Sequence, residues 1–152
     1  MIDLRLRAYA PNGAALGLLP DALVLTPNRD ELAILQGGEP GADLGENLAP
    51  VVAEVAHRYR AVVTCYDVVA ASDGATWRIQ GGGPGLATSG SGDVLSGAIA
   101  GFAARGTDLA QAAVWGSWVH ARAGDRLTER LGLGFLAREL AAELPLALRE
   151  VS

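Results

Sequence analysis

The sequence has no lysine, and all 12 of its basic residues are arginine. A P-loop, which needs a lysine beside the phosphates, is therefore excluded, and so is a lysine that forms a Schiff base with a carbonyl substrate. Cysteine is almost as scarce, because Cys65 stands alone in 152 residues. One cysteine cannot form an internal disulfide, and this usage is typical of a reducing compartment such as the cytoplasm.

Positive charge and long apolar runs are also missing. The net charge of −5 argues against nucleic acid as a general partner, because binding to a phosphate backbone needs a basic surface. No apolar run reaches the ~18 residues that a membrane span requires, so no membrane partner is expected. The first residues lack a basic leader and an apolar core, which does not favour a signal peptide. We expect one domain over residues 1–152, large enough to bury a core.

Hydrophobic periodicity predicts alternating strands and helices in the first half of the chain. A short apolar piece at Ile2–Leu6 could be a strand or a disordered end. The pattern then predicts a strand over 21–26 that Pro27 ends, and a helix from Asn28 or Asp30 to Leu35 that Gly37 ends. An exposed loop over 38–48 and a helix over 48–59 are expected next. Strands are predicted at 61–64 and 67–72, followed by a hairpin turn at Asp73-Gly74 and another short strand.

Three helical segments follow a glycine-rich stretch in the second half. The first runs from about Ser91 to Arg105, and its Gly97 and Gly101 predict a flat face for close packing. The second opens at Asp108, and the third covers 135–144, with Pro145 starting a last turn or helix. This order predicts an α/β layered fold with a mostly parallel sheet and flanking helices, and a ligand at the carboxyl ends of the strands.

The stretch GPGLATSGSGDVLSG, residues 83 to 97, is the strongest candidate site. Its glycines allow left-handed backbone angles and close approach of a ligand to the main chain. The first amides of a helix have no partner within it, so they can bind a phosphate. We therefore interpret Gly90, Ser91 and Gly92 as a phosphate site with Asp93 as a general base. The alternative is a tight connection in which Asp93 only complements the helix dipole.

Three other groups have a functional and a purely structural interpretation. Asn28 and Glu31 could form a helix cap after a strand or contribute to a ligand site. His120 could be a hydrogen-bonded core residue or part of a site with Asp125. The tryptophans are expected mainly to pack, although one could stack on an adenine; they are Trp77, Trp115 and Trp118.

The glycine-rich stretch also resembles the signature of ribokinase-like proteins, in particular the nucleotide-dependent NAD(P)H-hydrate dehydratases, which repair damaged nicotinamide cofactors. The similarity continues through AIAGFAARG, AVWGSWVHARAGD and LAAELPLALRE. It covers the second half of the chain well and the first half loosely. Members of that family are about twice as long as the matched region, and an earlier glycine-rich turn and a Lys-Gly nucleotide loop have no counterpart here. The resemblance therefore implies a ribokinase-like fold truncated at its N-terminus.

The resemblance implies specific roles. ADP or ATP would place its terminal phosphate over Gly90, Ser91 and Gly92, with Thr88 beside them, and Asp93 would take the proton from the hydroxyl of NAD(P)H hydrate. Phosphorylation turns a poor leaving group into a good one, which explains a dehydration in a kinase-like site. Glu31 would act through water on Mg2+, and Asn28 would contact the substrate where the dehydratases usually have Thr-Pro-His.

Two other functions stay open from the sequence. Asn28 is typical of the small-molecule kinases of this fold, which would leave the phosphate on a vitamin precursor or sugar. The shortened loop at Thr64–Asp67 is compatible with a catalytically inactive module kept for assembly. For each of these functions, a truncated sheet that lacks edge partners would expose an apolar edge. A second copy of the chain could cover that edge, so a homo-oligomer is expected.

Overall fold

The structure is a computed structural model that describes residues 23–151. The chain divides into two compact units between Arg78 and Ile79, and each unit is described by itself. One domain over residues 1–152 stays a prediction. The expected element at 2–6 and the first two residues of the strand expected at 21–26 lie outside the described residues.

A four-stranded sheet organises the first unit. Its strands follow one another in space as they do in the chain. They are β1 (Val24–Leu25), β2 (Val62–Cys65), β3 (Val68–Ala70) and β4 (Thr76–Arg78). Every residue of β2 and β3 is buried, as β-branched side chains on a covered sheet favour.

The expectation of a mostly parallel sheet is wrong for the described strands. Only β1 and β2 are parallel, whereas β2–β3 and β3–β4 are antiparallel. The reason is the length of the connections, because a parallel pairing needs a crossover of a dozen or so residues and a tight turn can join only antiparallel neighbours. Tyr66, at φ 53°, and Gly74, at φ 93°, supply the left-handed residues of these two turns.

Two helices cover the sheet of the first unit. The helix α1 (Arg29–Gln36) begins at Asn28 and ends at Gly37, which is left-handed at φ 103°. The helix α2 (Ala49–Tyr59) has Pro50 in its first turn, where the missing N–H costs nothing. Both helices were predicted from the sequence. Their apolar faces and the strands form one core, made of Leu25, Leu32, Ala33, Leu35, Leu44, Leu48, Val52, Val55, Ala56, Ala61, Val63, Cys65, Val68 and Ala70.

The second unit is helical. A glycine loop, residues 81 to 90, contains a short 3-10 turn at Pro84–Ala87 and leads into α3 (Ser91–Ala104). The helices α4 (Leu109–Leu131) and α5 (Ala137–Leu148) follow, separated by a 3-10 turn at Gly132–Gly134. The long helix α4 packs against both α3 and α5. Its inner face contributes Val119, Ala123 and Leu127 to the core of this unit. The other buried residues of this core are Phe135, Leu140 and Ala147.

The close contact between α3 and α4 uses a glycine of α4. A Cβ on Gly116 would lie 2.5 Å from Cγ1 and 3.0 Å from the backbone N and Cα of Ile99. Gly97 and Gly101 were expected to form the flat packing face of α3. This prediction is wrong for residues 23–151, because no neighbouring atom among them would lie within 4 Å of a Cβ at either position. Helix α3 therefore packs through the side that carries Ile99.

Helix α5 differs from its prediction at its end. Pro145 was expected to start a new turn, but it lies inside α5, which continues to Leu148. A proline removes one helical hydrogen bond, and the buried residues on either side, Glu143 and Ala147, hold the helix against its neighbours instead. Glu143 accepts hydrogen bonds from Arg126 (2.7 Å) and Arg130 (2.9 Å) of α4.

Among residues 23–151, none of the helices combines the length and the apolarity that a bilayer crossing needs.

Candidate functional site

The candidate site of the second unit is built where the glycine loop enters α3. Gly90 is the N-cap of α3 and is left-handed, with φ at 88°. A Cβ there would also lie 3.2 Å from the Cβ of Ala137. A side chain at this position would be strained and crowded, so the turn into α3 requires glycine.

The backbone donors at this turn are only partly used. The N–H of Ser91 donates to the carbonyl of Thr88, and the N–H of Asp93 donates to the carbonyl of Gly90, both at 3.1 Å. Within the described part of the chain, no acceptor bonds the N–H of Gly90 or Gly92. These two amides are therefore the donors that a bound anion could use at the positive end of α3. Of the three predicted phosphate-binding residues, Ser91 has its amide engaged.

Asp93 is exposed in the first turn of α3. Its carboxylate has no hydrogen bond or ion pair with any residue in the range 23–151. Asp108, the N-cap of α4, accepts the N–H groups of Ala110 and Gln111, whereas Asp93 lies three residues after the N-cap Gly90 and accepts none within the described range. The Asp93 carboxylate is exposed and belongs to the residue that follows Gly92, so it is available to accept a proton.

Ser91 points the other way, into the protein, where His120 of α4 holds it. Nε2 of His120 lies 3.0 Å from the Ser91 carbonyl oxygen and 3.0 Å from its Oγ. A carbonyl can only accept, so Nε2 carries the proton and His120 is the donor. Burial lowers the pKa of His120, and the hydrogen bond to the Ser91 carbonyl opposes that shift only in part. His120 is thus a neutral, buried donor at the base of the loop.

Asp125, five residues further along α4, holds the other end of the glycine loop. Its Oδ1 accepts the N–H of Gly82 at 2.9 Å. Gly81 and Gly82 are both left-handed, at φ 97° and 83°. A Cβ on Gly81 would lie 2.6 Å from Oδ2 of Asp125, so the backbone closes on the carboxylate at a distance that only glycine permits.

Asn28 and Glu31 lie together in the first unit, at the start of α1. The N–H of Glu31 donates to Oδ1 of Asn28, and the N–H of Asn28 donates to Oε2 of Glu31, both at 2.9 Å. This reciprocal pair is a capping box, so the structural interpretation of these residues is satisfied in full. Oε1 of Glu31 has no hydrogen-bond partner among residues 23–151 and stays available.

Other chemistry-bearing residues have packing roles. Trp115 and Trp118 form an edge-to-face pair with ring centroids 6.0 Å apart, and Trp118 packs into the core of the second unit. Cys65 is buried in β2, and burial raises the pKa of its thiol to about 12. In the described range, no three histidine, cysteine or acidic side chains form a group that could hold a metal ion.

Sequence reasoning named His120 and Asp125 but missed their partners, Ser91 and Gly82. His120 and Ser91 are 29 positions apart, and Asp125 and Gly82 are 43 positions apart, so no local spacing indicates either pairing. A signal was present for another missed feature, the ion pairs between α4 and α5. Arginines at 122, 126 and 130 recur every four residues, which places them on one face of a helix.

Comparison with known proteins gives one consistent family. The family model described as NAD(P)H-hydrate dehydratase matches residues 6–146. An ADP-dependent (S)-NAD(P)H-hydrate dehydratase from Xanthomonas campestris is 49% identical over 126 residues, which are 80% of this chain and 43% of that protein. The bifunctional NAD(P)H-hydrate repair enzyme Nnr of Moorella thermoacetica is 38% identical over 133 residues, which are 85% of this chain and 25% of that protein. The chain thus spans less than half the length of these relatives.

Solved structures agree with this result. The ADP/ATP-dependent NAD(P)H-hydrate dehydratase of Bacillus subtilis, co-crystallised with ATP and Mg2+, superposes with a TM-score of 0.78 at 26% identity, over 85% of this chain and 48% of that one. A phosphofructokinase-2 mutant from Escherichia coli gives a TM-score of 0.54 at 19% identity, over 90% of this chain and 44% of that one, and shows the fold alone. The ribokinase-like α/β fold expected from the glycine-rich stretch is confirmed.

Proposed function

The chain belongs to the NAD(P)H-hydrate dehydratase family, and from that premise we propose that it uses ADP or ATP to dehydrate NAD(P)H hydrate and so restores the nicotinamide cofactor. The observation that carries the proposal is the start of α3. Two backbone amides, those of Gly90 and Gly92, and the carboxylate of Asp93 occupy this start, and all three lack a hydrogen-bond partner among residues 23–151. Phosphorylation of a hydroxyl requires a site that binds the phosphate of the nucleotide and a base that takes the proton of the hydroxyl.

In this proposal Asp93 is the catalytic residue. Its carboxylate takes the proton of the hydrate hydroxyl while that oxygen bonds to the terminal phosphorus of the nucleotide. The bond from this phosphorus to the bridging oxygen breaks in the same step, so AMP leaves when ADP is used and ADP leaves when ATP is used. The amides of Gly90 and Gly92 stabilise the charge on the phosphate oxygens, and Ser91 and Thr88 complete the nucleotide-binding turn. The bond between the ring carbon and the phosphorylated oxygen then breaks. Inorganic phosphate leaves, the ring loses a proton, and its double bond is restored.

Asn28 and Glu31 are assigned to substrate and Mg2+. Glu31 uses Oε2 in the capping box and retains Oε1, which is the atom that could reach Mg2+ through a water molecule. One carboxylate is enough for this role, because Mg2+ keeps most of its waters and binds phosphate oxygens. When bound, the ion would neutralise charge on the phosphates. The amide of Asn28 is exposed at the same helix start and would contact the substrate.

A spectroscopic assay tests the proposal. Purified protein incubated with NADH hydrate and either ADP or ATP should restore the absorbance of NADH, and Asp93→Asn should reduce the rate by at least about a hundredfold, because it removes the base. Asp108→Asn is a matched control. Asp108 is an exposed acid at the start of α4, and asparagine caps a helix as well as aspartate does, so activity should not change.

The same assay separates the other functions. Consumption of ATP with a hydroxymethylpyrimidine or thiazole alcohol, without activity on the hydrate, would replace the dehydratase with a small-molecule kinase. No reaction with either substrate would contradict both enzymatic functions and leave an inactive module.

The proposal extends to assembly and compartment. We place the chain in the cytoplasm, where nicotinamide cofactors and nucleotides are used and where the lone Cys65 would stay reduced. We also expect it to assemble with copies of itself. Light scattering on the purified chain measures the second point, and a mass equal to one chain at all concentrations would contradict it.

A further inference from the structure

One face of α4 contacts the glycine loop at both of its ends. His120 bonds to Ser91, directly after the loop, and Asp125 bonds to Gly82, near its beginning. Between these two bonds the loop lies against α4 without space to spare. A Cβ on Gly124 would lie 2.6 Å from Cδ2 of Leu86, and one on Gly82 would lie 3.3 Å from the Cβ of Ala121.

We infer that His120 and Asp125 are positioning residues, which fix the two ends of the glycine loop so that the free amides and Asp93 keep the geometry needed for phosphoryl transfer. The inference rests on the proposed function for the reaction that is positioned. It goes beyond that function because neither residue touches the nucleotide or the hydrate in it.

The bond from His120 acts on the first residue of α3. Nε2 of His120 is 3.0 Å from both the carbonyl oxygen and Oγ of Ser91, so one donor restrains the backbone and the side chain together. The next residue, Gly92, carries a free amide, and Asp93 follows it. Rotation at Ser91 would therefore move the donor and the base at once.

The bond from Asp125 acts on the conformation of the loop itself. Gly81 and Gly82 are left-handed and carry no side chain that could hold them in place. The carboxylate of Asp125 accepts the N–H of Gly82 at 2.9 Å, and this bond spans 43 positions of the chain. Asp125 thus supplies the restraint that a glycine pair lacks by itself.

Precise placement matters because phosphoryl transfer depends on orientation. A misplacement of about 1 Å can cost on the order of a hundredfold in rate. A residue that only stabilised the fold would change the melting temperature and leave the turnover of the folded enzyme intact. The two interpretations therefore differ in kcat and not in stability.

The test compares variants that remove each bond with variants that retain it. His120→Leu and Asp125→Ala should lower kcat by about ten- to a hundredfold, while KM for ADP changes less than about threefold. His120→Gln keeps an N–H near Nε2, and Asp125→Asn keeps an oxygen that can accept the Gly82 N–H, so both should recover most of the activity.

Thr128→Val is the matched control. It is isosteric, lies on the same helix and removes a hydrogen bond that stays within α4, from Oγ1 to the Gly124 carbonyl. It should lower the melting temperature and leave kcat unchanged. An active enzyme whose kcat is unaffected by both His120→Leu and Asp125→Ala would overturn the inference.

Amide hydrogen exchange on the unliganded full chain gives a readout that does not need activity. Asp125→Ala should speed exchange at Gly82, and His120→Leu should speed it at Ser91 and Asp93, with protection restored in Asp125→Asn and His120→Gln. If wild-type protein shows no dehydratase activity, the proposed function fails, and the positioning inference is then decided by exchange alone. Unchanged exchange in both variants overturns it. If His120→Leu does not fold, the Asp125 pair decides, because Asp125 is only half-buried.

Discussion

Burial holds two titratable side chains in their uncharged forms, Cys65 in β2 and His120 in α4. Desolvation raises the pKa of the thiol to about 12 and lowers the pKa of the imidazole. Burial is the largest cause of both shifts, and the groups that oppose it, the charge of Arg29 for Cys65 and the hydrogen bond to Ser91 for His120, offset it only in part. The thiol of Cys65 would gain its charge only at high pH, and the imidazole of His120 would gain its charge only at low pH.

Cys65 should be inert in the native protein. At pH 8 a thiol with a pKa of about 12 is almost entirely protonated, and the thiolate is the reactive species. A thiol reagent that forms a coloured product should modify the native chain at least about a hundredfold more slowly than the chain in guanidinium chloride. Rapid modification of the native protein would show that β2 opens or that the thiol is accessible.

His120 should make the protein less stable in mild acid. Its folded pKa is lowered from 6.5, so the unfolded chain binds more protons and the free energy of unfolding falls as the pH drops below about 6.5. Denaturant unfolding between pH 7.5 and 5 measures this, with His120→Gln as the reference that cannot titrate. The wild type should lose stability relative to the variant as the pH falls, and parallel curves would contradict the assigned burial.

At this scale the sequence predicted residues with local partners and failed for those with distant ones. The capping of α1 by Asn28 could be predicted because the partner, Glu31, is three positions away. The partners of His120 and Asp125 could not, since they depend on how α4 packs against the glycine loop. The sequence also could not show that the Asp93 carboxylate lacks a partner among residues 23–151, because an acid that complements a helix dipole and a free base share the same pattern.

At the scale of elements, the packing of α3 on α4 depends on Gly116. Gly116→Ala should destabilise the protein by about 1–3 kcal/mol, because the new methyl group would press on the backbone of Ile99, which cannot move aside as a side chain can. Gly97→Ala is the control. It lies in an exposed position of α3 with open space around it, and alanine should stabilise the helix by up to about 1 kcal/mol.

Unfolding in urea measures both changes. Equal effects from the two substitutions would mean that helix propensity alone decides, and that the close approach at Ile99 is not a stable contact.

The ion pairs between α4 and α5 form a second element contact. The side chain of Glu143 is only 4% exposed and accepts hydrogen bonds from Arg126 and Arg130. Burial by itself would raise the pKa of Glu143, but these hydrogen bonds outweigh it and the pKa is lowered. Its contribution to stability is therefore present above pH 4.5 and is lost as the pH falls through the lower folded pKa.

Glu143→Gln should cost about 1–3 kcal/mol at pH 7, because two arginines lose a charged acceptor that is buried. Glu129→Gln is the control, since Glu129 is 72% exposed and 3.9 Å from Arg122, and its loss should cost less than about 0.5 kcal/mol. Urea unfolding at pH 7 and pH 3 checks the result. The difference between wild type and Glu143→Gln should shrink at pH 3, and a constant difference would contradict the electrostatic origin.

Helices were predictable from the sequence, whereas strand direction and helix termination at proline were not. Helices α1 to α4 follow from local periodicity and caps such as Gly37 and Asp108. The direction of β3 and β4 depends on turns of a few residues, and a run of apolar β-branched residues reads the same in either direction. Helix α5 passes through Pro145 because tertiary contacts compensate for the lost hydrogen bond, and no local rule contains those contacts.

At the scale of the whole molecule, the family match extends over residues 6–146, yet the chain spans 43% of the length of its Xanthomonas relative. The features proposed to hold the phosphate, namely the glycine loop, the start of α3 and the face of α4 that carries His120 and Asp125, lie in the second unit. Nucleotide binding by the intact chain is therefore the property that decides whether the family's site is functional here, and it can be measured without knowing the final substrate.

ADP should stabilise the whole chain against heat. A ligand at about 100 times its Kd adds about 2.7 kcal/mol to the free energy of unfolding, which corresponds to a rise of roughly 5–10 °C in Tm for a protein of this size. Asp93→Asn should keep or enlarge this shift, because it removes a negative charge beside the bound phosphate while leaving the amides in place. Differential scanning fluorimetry with increasing ADP measures both.

Gly92→Ala makes the same experiment specific to the start of α3. Nothing in the described structure lies within 4 Å of a Cβ at Gly92, so alanine should fit the unliganded helix and even favour it. The added methyl group would occupy space that a phosphate needs beside the Gly92 amide, and the ADP shift should fall by more than half while the Tm without ADP is maintained. An ADP shift that Gly92→Ala leaves intact would place the nucleotide elsewhere, and no shift in the wild type would leave the chain without the nucleotide site on which its proposed chemistry depends.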